Sequence, residues 1–405
     1  MHTNSQLPLV SVIIPAYNAE TFIARTLNSV LSQTYENIEI LVVDDGSKDK
    51  TAEIIEQFAQ KDNRIIFFNQ ANAGVAAARN LAIQNSRGEY IAPLDADDIW
   101  DQTKIEKQVK LILQSEPTVG LIYAWSVLID EEGLIIGRYD IDDFFKFRVV
   151  EGYVYPIMLY YNFIGNASAT LIRRDCFEQV GYYNCQLREQ NAQGCEDWDM
   201  YLRIAESYEC RVVPEFLIGY RYVIGSMSAN YMEMEMSYNL VVADIKQRHP
   251  EIAKFIYQFS ASKFYVHLSN KSYACGNYFI SIIWLLKAVE LDYMLLLNPR
   301  FYRVCIPGTL RILLKTLTSL IWQDHKAWGN FKQKVKLKQK ETQILAILDM
   351  NEQIIKEKQR AWKLYDIVMR HRWSKVLQSC QTRLLQEKTL KDVDNYLQIS
   401  SHQKM

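Results

Sequence analysis

The stretch IEILVVDDGSKDKTAEIIEQFAQK, residues 38–61, carries the pattern from which the fold is read. Apart from Glu39 its opening is apolar and rich in Ile and Val, the composition of a strand covered on both faces. A polar turn follows at Asp44-Asp45-Gly46-Ser47, and SKDKTAEIIEQFAQK then reads as a helix. Ser47 or Asp49 can start that helix by accepting from the unpaired N–H groups of its first turn. The same unit recurs on either side. LVSVIIPAY (9–17) reads as a strand and AETFIARTLNSVLSQT (19–34) as a helix. RIIFFNQ (64–70) is a strand, GVAAARNLAIQNS (74–86) a helix, and GEYIAPLDADD (88–98) a fourth strand with its exit loop. This alternation predicts an α/β fold with a parallel sheet and helices on both faces.

In such a sheet the carboxyl ends of the strands share one edge, and ligands collect there. Pro15-Ala16-Tyr17-Asn18, Asp44-Asp45-Gly46-Ser47 and Asp95-Ala96-Asp97-Asp98 all follow apolar strands. Three polar loops distant in sequence are therefore expected in one crevice. Further on, VGLIYAWSVLID (119–130) and EFLIGYRYVI (215–224) read as strands and EDWDMYLRIAES (196–207) as a helix.

After about residue 240 the pattern is helical, which divides the chain into residues 1–240 and an α-helical extension, 241–405. KFYVHLSNKSYACGNYFISIIWLLKAVELD (263–292) reads as two helices meeting near Gly276-Asn277. That pair fits either a single tetratricopeptide-type hairpin or an ordinary helical extension.

The composition limits the function. Forty-six Lys and Arg balance 47 Asp and Glu, which argues against nucleic acid as the partner. Seven cysteines without C-x-x-C spacing are expected to be mostly reduced thiols. No secretory leader and no membrane span is expected, since Met1–Pro8 is polar and the apolar run after it is strand-sized. A cytoplasmic location follows. TLRILLKTLTSLIW (309–322) sorts its leucines to one helical side, and residues 300–340 hold ten Lys or Arg against one acidic residue. The segment 309–340 fits peripheral attachment to an anionic membrane surface, or an apolar face buried against protein.

Two acidic clusters carry the chemistry. Asp95, Asp97 and Asp98 would raise one another's pKa unless a cation is present, and hard oxygen ligands suit Mg2+ or Mn2+. The same residues also fit a helix-capping acidic turn. Glu196-Asp197-Trp198-Asp199 opens a helix, where a carboxylate is either a cap or a general base. Asp45 can accept from a nucleotide, or simply belong to an Asp-Gly turn. Neither G-x-G-x-x-G after the first strand nor a P-loop motif is present.

Taken together, SVIIPAYNAE (11–20), VVDDGSKDKT (42–51), GVAAARN (74–80), YIAPLDADDIW (90–100) and GCEDWDM (194–200) resemble the family 2 glycosyltransferases, whose fold is called GT-A. The resemblance covers about residues 9–228. It implies a GT-A fold with a Rossmann-like, mostly parallel mixed sheet, and inverting transfer of a sugar from a nucleotide-diphosphate sugar, with a UDP-sugar favoured. The acceptor it implies is a glycan or a lipid-linked hydroxyl in cell-surface glycan or glycolipid synthesis.

Residue by residue, it implies that Asp45 hydrogen-bonds the base, with Tyr17 stacked on it and Pro15 shaping the wall. Asp95 would contact the ribose and help position Mn2+ or Mg2+, and Asp97 would be the direct ligand. Asp197 would be the general base, supported by Glu196. Arg79 is a donor-side candidate. NFIGNAS (162–168) falls where relatives line the acceptor pocket, and YRYVIGSMS (220–228) where a segment closes over the diphosphate. Val223 replaces the histidine that some relatives carry there, which leaves Arg221, Ser226 and Ser228 as phosphate partners. A carboxylate-pair hydrolase and a non-catalytic scaffold on the same fold are the competing readings. Neither accounts as well for the full set Asp45, Asp95, Asp97 and Asp197. Oligomeric state is not read from the sequence.

Overall fold

All seven residues of strand β1 (Val10–Ala16) and all seven of β2 (Ile38–Asp44) are buried, as unalternating apolar strands demand when a sheet is covered on both faces. Helix α1 (Ile23–Leu31) joins them and turns Ile23, Thr26, Leu27 and Val30 inward. The computed structural model describes residues 7–138, 149–223, 230–313 and 372 of the 405. After β2 come α2 (Thr51–Ala59), β3 (Ile65–Asn69), α3 (Val75–Asn85) and β4 (Tyr90–Pro93). The four strands lie parallel in the order β3-β2-β1-β4, with Ala16 beside Asp44 and Asp44 beside Asn69. This register aligns the ends of the first three strands, so the loops that carry Tyr17 and Asp45 leave the sheet side by side.

The chain continues through β5 (Ile99–Trp100), α4 (Lys104–Leu113), β6 (Val119–Ile129), β7 (Ile135–Arg138), α5 (Tyr155–Tyr160) and β8 (Thr170–Arg173). Next are α6 (Arg174–Val180), α7 (Gln186–Glu189), α8 (Glu196–Ala205), β9 (Glu209–Arg221) and α9 (Tyr231–Arg248). The described strands form one sheet in the order β3-β2-β1-β4-β8-β6-β9-β5, with β7 on β6.

β8 pairs antiparallel with both β4 and β6, while β6 and β9 are parallel. The sheet is therefore mixed, and its polarity places the site. β6 and β9 end on the edge where β1 and β4 end, and β8 begins there. Residues just before β8 thus lie beside the loop that follows β4.

At the other end of the strands, buried Glu39 ties three elements together. Its carboxylate accepts from Ser11 Oγ at 2.6 Å, the Arg87 N–H at 2.5 Å, Arg87 Nε at 3.0 Å and the Gly88 N–H at 3.1 Å. Burial pushes its pKa up, but these donors outweigh it and hold the group below the usual carboxylate value.

The described residues fall into two compact units that divide between Pro250 and Glu251. α9, which runs through residue 240, belongs to the first: Tyr238 stacks on Trp198 at 5.3 Å, and Cys195 Sγ lies 3.9 Å from the Met234 carbonyl. The second unit contains α10 (Lys254–Ala274), α11 (Tyr278–Leu291) and α12 (Pro299–Leu313). α10 and α11 form a hairpin that turns at Gly276, whose φ of 79° is left-handed. Ser262 Oγ donates to the Ala288 carbonyl at 2.9 Å and Ser269 Oγ to the Ser281 carbonyl at 2.8 Å, so small hydroxyls allow the two helices to approach closely. Of the basic segment 309–340, residues 314–340 lie outside the described residues, as do Ser226 and Ser228. Among the described residues no helix is long and apolar enough to cross a membrane, and no disulfide is formed.

Candidate active site

The loops after β1 and β2 are laced together by their own polar groups. The Asn18 N–H donates to Ser47 Oγ at 2.9 Å and the Ala19 N–H to Thr51 Oγ1 at 2.7 Å. The Glu20 N–H donates to Asp49 Oδ2 at 3.1 Å, and the Lys48 N–H to Asn18 Oδ1 at 2.8 Å. Asn18 takes a left-handed φ of 48°, a conformation asparagine tolerates. The turn leaves Tyr17 50% exposed, its ring available to a planar ligand. Pro15 is buried within β1 beside Val43.

Asp45 is buried and engaged with its own chain. Its carboxylate accepts from Gln70 Nε2 at 2.7 Å, the Ala73 N–H at 2.7 Å and the Gly74 N–H at 2.8 Å. A carboxylate offers about four acceptor positions, so roughly one remains for a ligand's donor. Asp45 thus shapes the loop that enters α3. Its neighbour Asp44 is also buried, with Oδ1 lacking a hydrogen-bond partner.

The loop after β4 holds the acidic cluster. Asp98 is fully buried: Oδ2 accepts from Ser168 Oγ at 2.5 Å and Oδ1 from the Arg221 N–H at 2.8 Å. Burial, then the charges of Asp97 and Asp95, push its pKa well up. Asp97, like Asp95, is half-buried. Burial and the Asp95 charge raise it to about 6, against the opposing pull of the backbone and Arg221. Arg221 points its guanidinium at backbone: Nε donates to the Asp97 carbonyl at 2.6 Å, and Nη1 to the carbonyls of Asp130 at 2.5 Å and Glu131 at 3.0 Å. Its buried Nη2 has no partner. Arg221 therefore fastens the acidic loop to the β6–β7 turn.

Asp95 pairs with Arg79, whose Nη2 donates to Oδ1 at 2.5 Å. Arg79 is buried on α3 and lies over the Tyr183 ring, 5.2 Å from its centroid. Burial alone would lower its pKa, but the charges of Asp95, Tyr183 and Asp197 hold it above the ordinary guanidinium value.

Helix α8 brings the second cluster. Glu196 Oε2 accepts from the Gly194 N–H at 2.9 Å, and burial raises its pKa. Trp198 Nε1 donates to the Met158 carbonyl at 2.8 Å, and Asp199 is paired with Arg203 at 2.8 Å. Asp197 is left with one side-chain hydrogen bond, from the Trp198 N–H at 2.7 Å. Burial raises its carboxyl to about 7, Arg79 opposes the rise, and Glu196 and Asp95 add to it. Asp197 and Asp95 therefore act on each other and on one guanidinium, although a hundred residues of chain separate them. This arrangement can hold a cation and an anion on one side and take up a proton on the other.

The sequence profile described as glycosyl transferase family 2 matches residues 11–180. An uncharacterized glycosyltransferase of Methanocaldococcus jannaschii is 33% identical over 218 residues, which are 53% of this chain and 71% of that protein. TuaG of Bacillus subtilis, named for teichuronic acid biosynthesis, is 30% identical over 244 residues, 60% of this chain and 90% of its own length. The chain belongs to glycosyltransferase family 2. Residues 1–349 of TarS from S. aureus superpose on the transferase with a TM-score of 0.50 at 17% identity, over 70% of this chain and 80% of that one. That likeness concerns the fold, α/β and GT-A-like, with a helical region after it.

Within the transferase, Tyr17, Asp45, Arg79, Asp95, Asp97, Glu196, Asp197 and Arg221 all lie in the first unit. Asp45 and Arg221 hold loops by hydrogen bonds that no sequence period announces. Tyr183, which packs on Arg79, carries no signal in the sequence, being one tyrosine among 25. Ser168 stands out in the sequence only as part of NFIGNAS. Its place against the acidic loop follows from the antiparallel entry of β8, a strand of four residues, too short to show a period.

Proposed function

We propose that this glycosyltransferase is metal-dependent and inverting, and that it moves a sugar from a nucleotide-diphosphate sugar, a UDP-sugar by preference, to a hydroxyl of a cell-surface glycan or lipid-linked acceptor. The observation that carries this reading is Asp197: its carboxylate is raised to about 7 and lightly engaged, beside the Arg79–Asp95 pair. A base near neutral pH takes a proton most effectively when its own pKa lies near the working pH.

The residues fit a hard divalent cation. Asp97 and Asp95 concentrate negative charge that burial makes costly, and a cation relieves it. Among the described residues no three His, Cys, Asp or Glu are grouped to hold a metal; a site of one or two carboxylates would leave the other positions to diphosphate oxygens and water, the usual manner of Mg2+. When bound, Mn2+ or Mg2+ supplies charge neutralisation for the departing diphosphate.

The chain's own groups do the rest. Tyr17 offers a face for the base, and Asp45 holds the loop that borders it. Arg221 and Asp98 keep the Asp97 backbone in place. Asp197 accepts the acceptor's hydroxyl proton as that oxygen attacks the anomeric carbon opposite the departing phosphate, which inverts the configuration. No enzyme nucleophile takes part.

TuaG's name concerns teichuronic acid biosynthesis, which supports a glycan acceptor here. We place the enzyme in the cytoplasm, with segment 309–340 resting on an anionic membrane surface. Exposed Ile306 and Leu310 on α12 beside Arg303 support that placement. Incubation with a panel of nucleotide sugars and mixed acceptors, with product mass and anomeric configuration determined with and without Mn2+, tests the assignment. A retained configuration, or full activity in chelator, would refute it. Co-sedimentation with anionic vesicles tests the membrane placement, which fails if removal of 309–405 leaves binding unchanged.

A further inference from the structure

We propose that Ser168 is a positioning residue for the cation end of the site, setting the separation of Asp95 and Asp98 and hence the direction in which Asp97 presents its carboxylate. The assignment rests on the reading of Asp97 as the cation ligand.

The Ser168 side chain is fully buried, and its single oxygen serves both flanks of Asp97. Oγ accepts from the Asp95 N–H at 3.0 Å and donates to Asp98 Oδ2 at 2.5 Å. A hydroxyl has one proton and two lone pairs, so this oxygen clamps the loop from both sides at once. The loop closes on itself through the Asp98 N–H to the Asp95 carbonyl at 3.1 Å. Asp98 then reaches the Arg221 N–H, whose own side chain holds the Asp97 carbonyl. Thr26 Oγ1 on α1 adds bonds to the Ala96 and Asp98 carbonyls at 2.9 and 2.8 Å, but among these side chains Ser168 is the one that joins the Asp95 N–H to the Asp98 carboxylate.

Ser168 is itself held still. Three successive carbonyls are taken by side chains from β5 and α4: Ser168 O by Trp100 Nε1 at 2.8 Å, Ala169 O by Gln108 Nε2 at 2.9 Å, and Thr170 O by Lys104 Nζ at 3.0 Å. Lys104 is fully buried and lies 3.7 Å from the Trp100 ring centroid. On the other flank the Asn166 carbonyl accepts from the Tyr201 hydroxyl at 3.1 Å, one helical turn beyond Asp197 on α8. One short segment, 166–170, thus touches both the acidic loop and the helix that carries Asp197. Groups that orient metal ligands typically change metal affinity by about 10–100-fold when removed.

The test compares wild type, Ser168→Ala and Ser168→Cys by calorimetry with UDP and GDP across a Mn2+ titration, together with hydrogen exchange of peptide 94–100 in metal-free protein. The expected result is an Mn2+ requirement about tenfold higher or more in Ser168→Ala, with Ser168→Cys intermediate. Nucleotide affinity without metal should be unchanged, and amides 95–98 should exchange faster. A folded Ser168→Ala with the wild-type Mn2+ requirement overturns the proposal, as does an equal loss of metal-free nucleotide affinity. If Ser168→Ala does not fold, Ser168→Cys decides alone: a raised Mn2+ requirement supports the role, and an unchanged one overturns it. Wild-type protein that binds nucleotide equally well with and without Mn2+ overturns the metal reading itself, and this role with it.

Discussion

Arg79 Nη2 lies 2.5 Å from Asp95 Oδ1, and the same guanidinium opposes the rise of the Asp197 carboxyl from α8. One buried cation thus faces a carboxylate on the donor side and the carboxylate proposed to take the acceptor's proton. Two half-buried carboxylates near each other would repel without it.

Asp197→Asn should lower sugar transfer by about 10²–10⁴-fold, the range of a lost general base. Nucleotide affinity in the presence of Mn2+ should stay within about threefold of wild type, because Asp197 makes no bond to the donor-side loops. Parallel transfer assays and calorimetry check this; a variant with wild-type turnover removes Asp197 from the role.

The acid limb of kcat/KM reports the free enzyme. The base works deprotonated, so the rate should fall as pH drops through about 7, the value of Asp197. Arg79 holds that carboxyl down against burial. Arg79→Met should move the limb to higher pH and cost about 1–3 kcal/mol of stability by removing the partner of half-buried Asp95. A pH–rate profile and a denaturant melt of the variant read the two effects separately.

The raised carboxyl of Asp97 has an opposite bearing on stability. A folded pKa of about 6 against an ordinary 3.8 means that the folded state binds more protons between these values. Stability from this group is therefore lost as pH rises through that window, not as it falls. Relative to Asp97→Asn, metal-free wild type should lose stability between pH 4 and pH 7, and Mn2+ with nucleotide should stabilise wild type but not the variant. Urea melts at three pH values with and without Mn2+ test both statements.

Gly74 has a φ of 95°, and a Cβ built there would lie 2.5 Å from Arg188 Cδ and 2.6 Å from Arg188 Nη1. Its N–H also donates to Asp45. Gly74→Ala should cost about 1–3 kcal/mol through backbone strain and raise the donor KM while leaving the Asp197 acid limb in place. A kcat that falls with an unchanged KM would contradict the loop's assignment to the donor side.

Much of this was legible from residue order alone. The mostly apolar, unalternating runs at 10–16 and 38–44 and the helical periods between them define β1, α1, β2 and α2, because a sheet covered on both faces favours apolar residues and admits a polar one, such as Glu39, only where it is hydrogen-bonded. Strand-end loops rich in Asp then point to one edge, since parallel strands share their carboxyl ends. The chemistry of the acidic clusters could likewise be named from residue type and position.

Which carboxylate of each cluster stays available is another matter. In Asp95-Ala96-Asp97-Asp98 and in Glu196-Asp197-Trp198-Asp199, neighbours in the chain look alike, yet Asp98 and Asp199 are taken by Ser168 and Arg203 while Asp97 and Asp197 are lightly held. Local sequence determined the strands, the helices and the stock of charged groups, because these depend on near neighbours and on a repeating period. Only the tertiary structure decided which acids are taken by protein partners and which are left lightly held, because hydrogen bonds that span about 70 to 120 residues depend on the antiparallel entry of a four-residue strand, which has no period of its own.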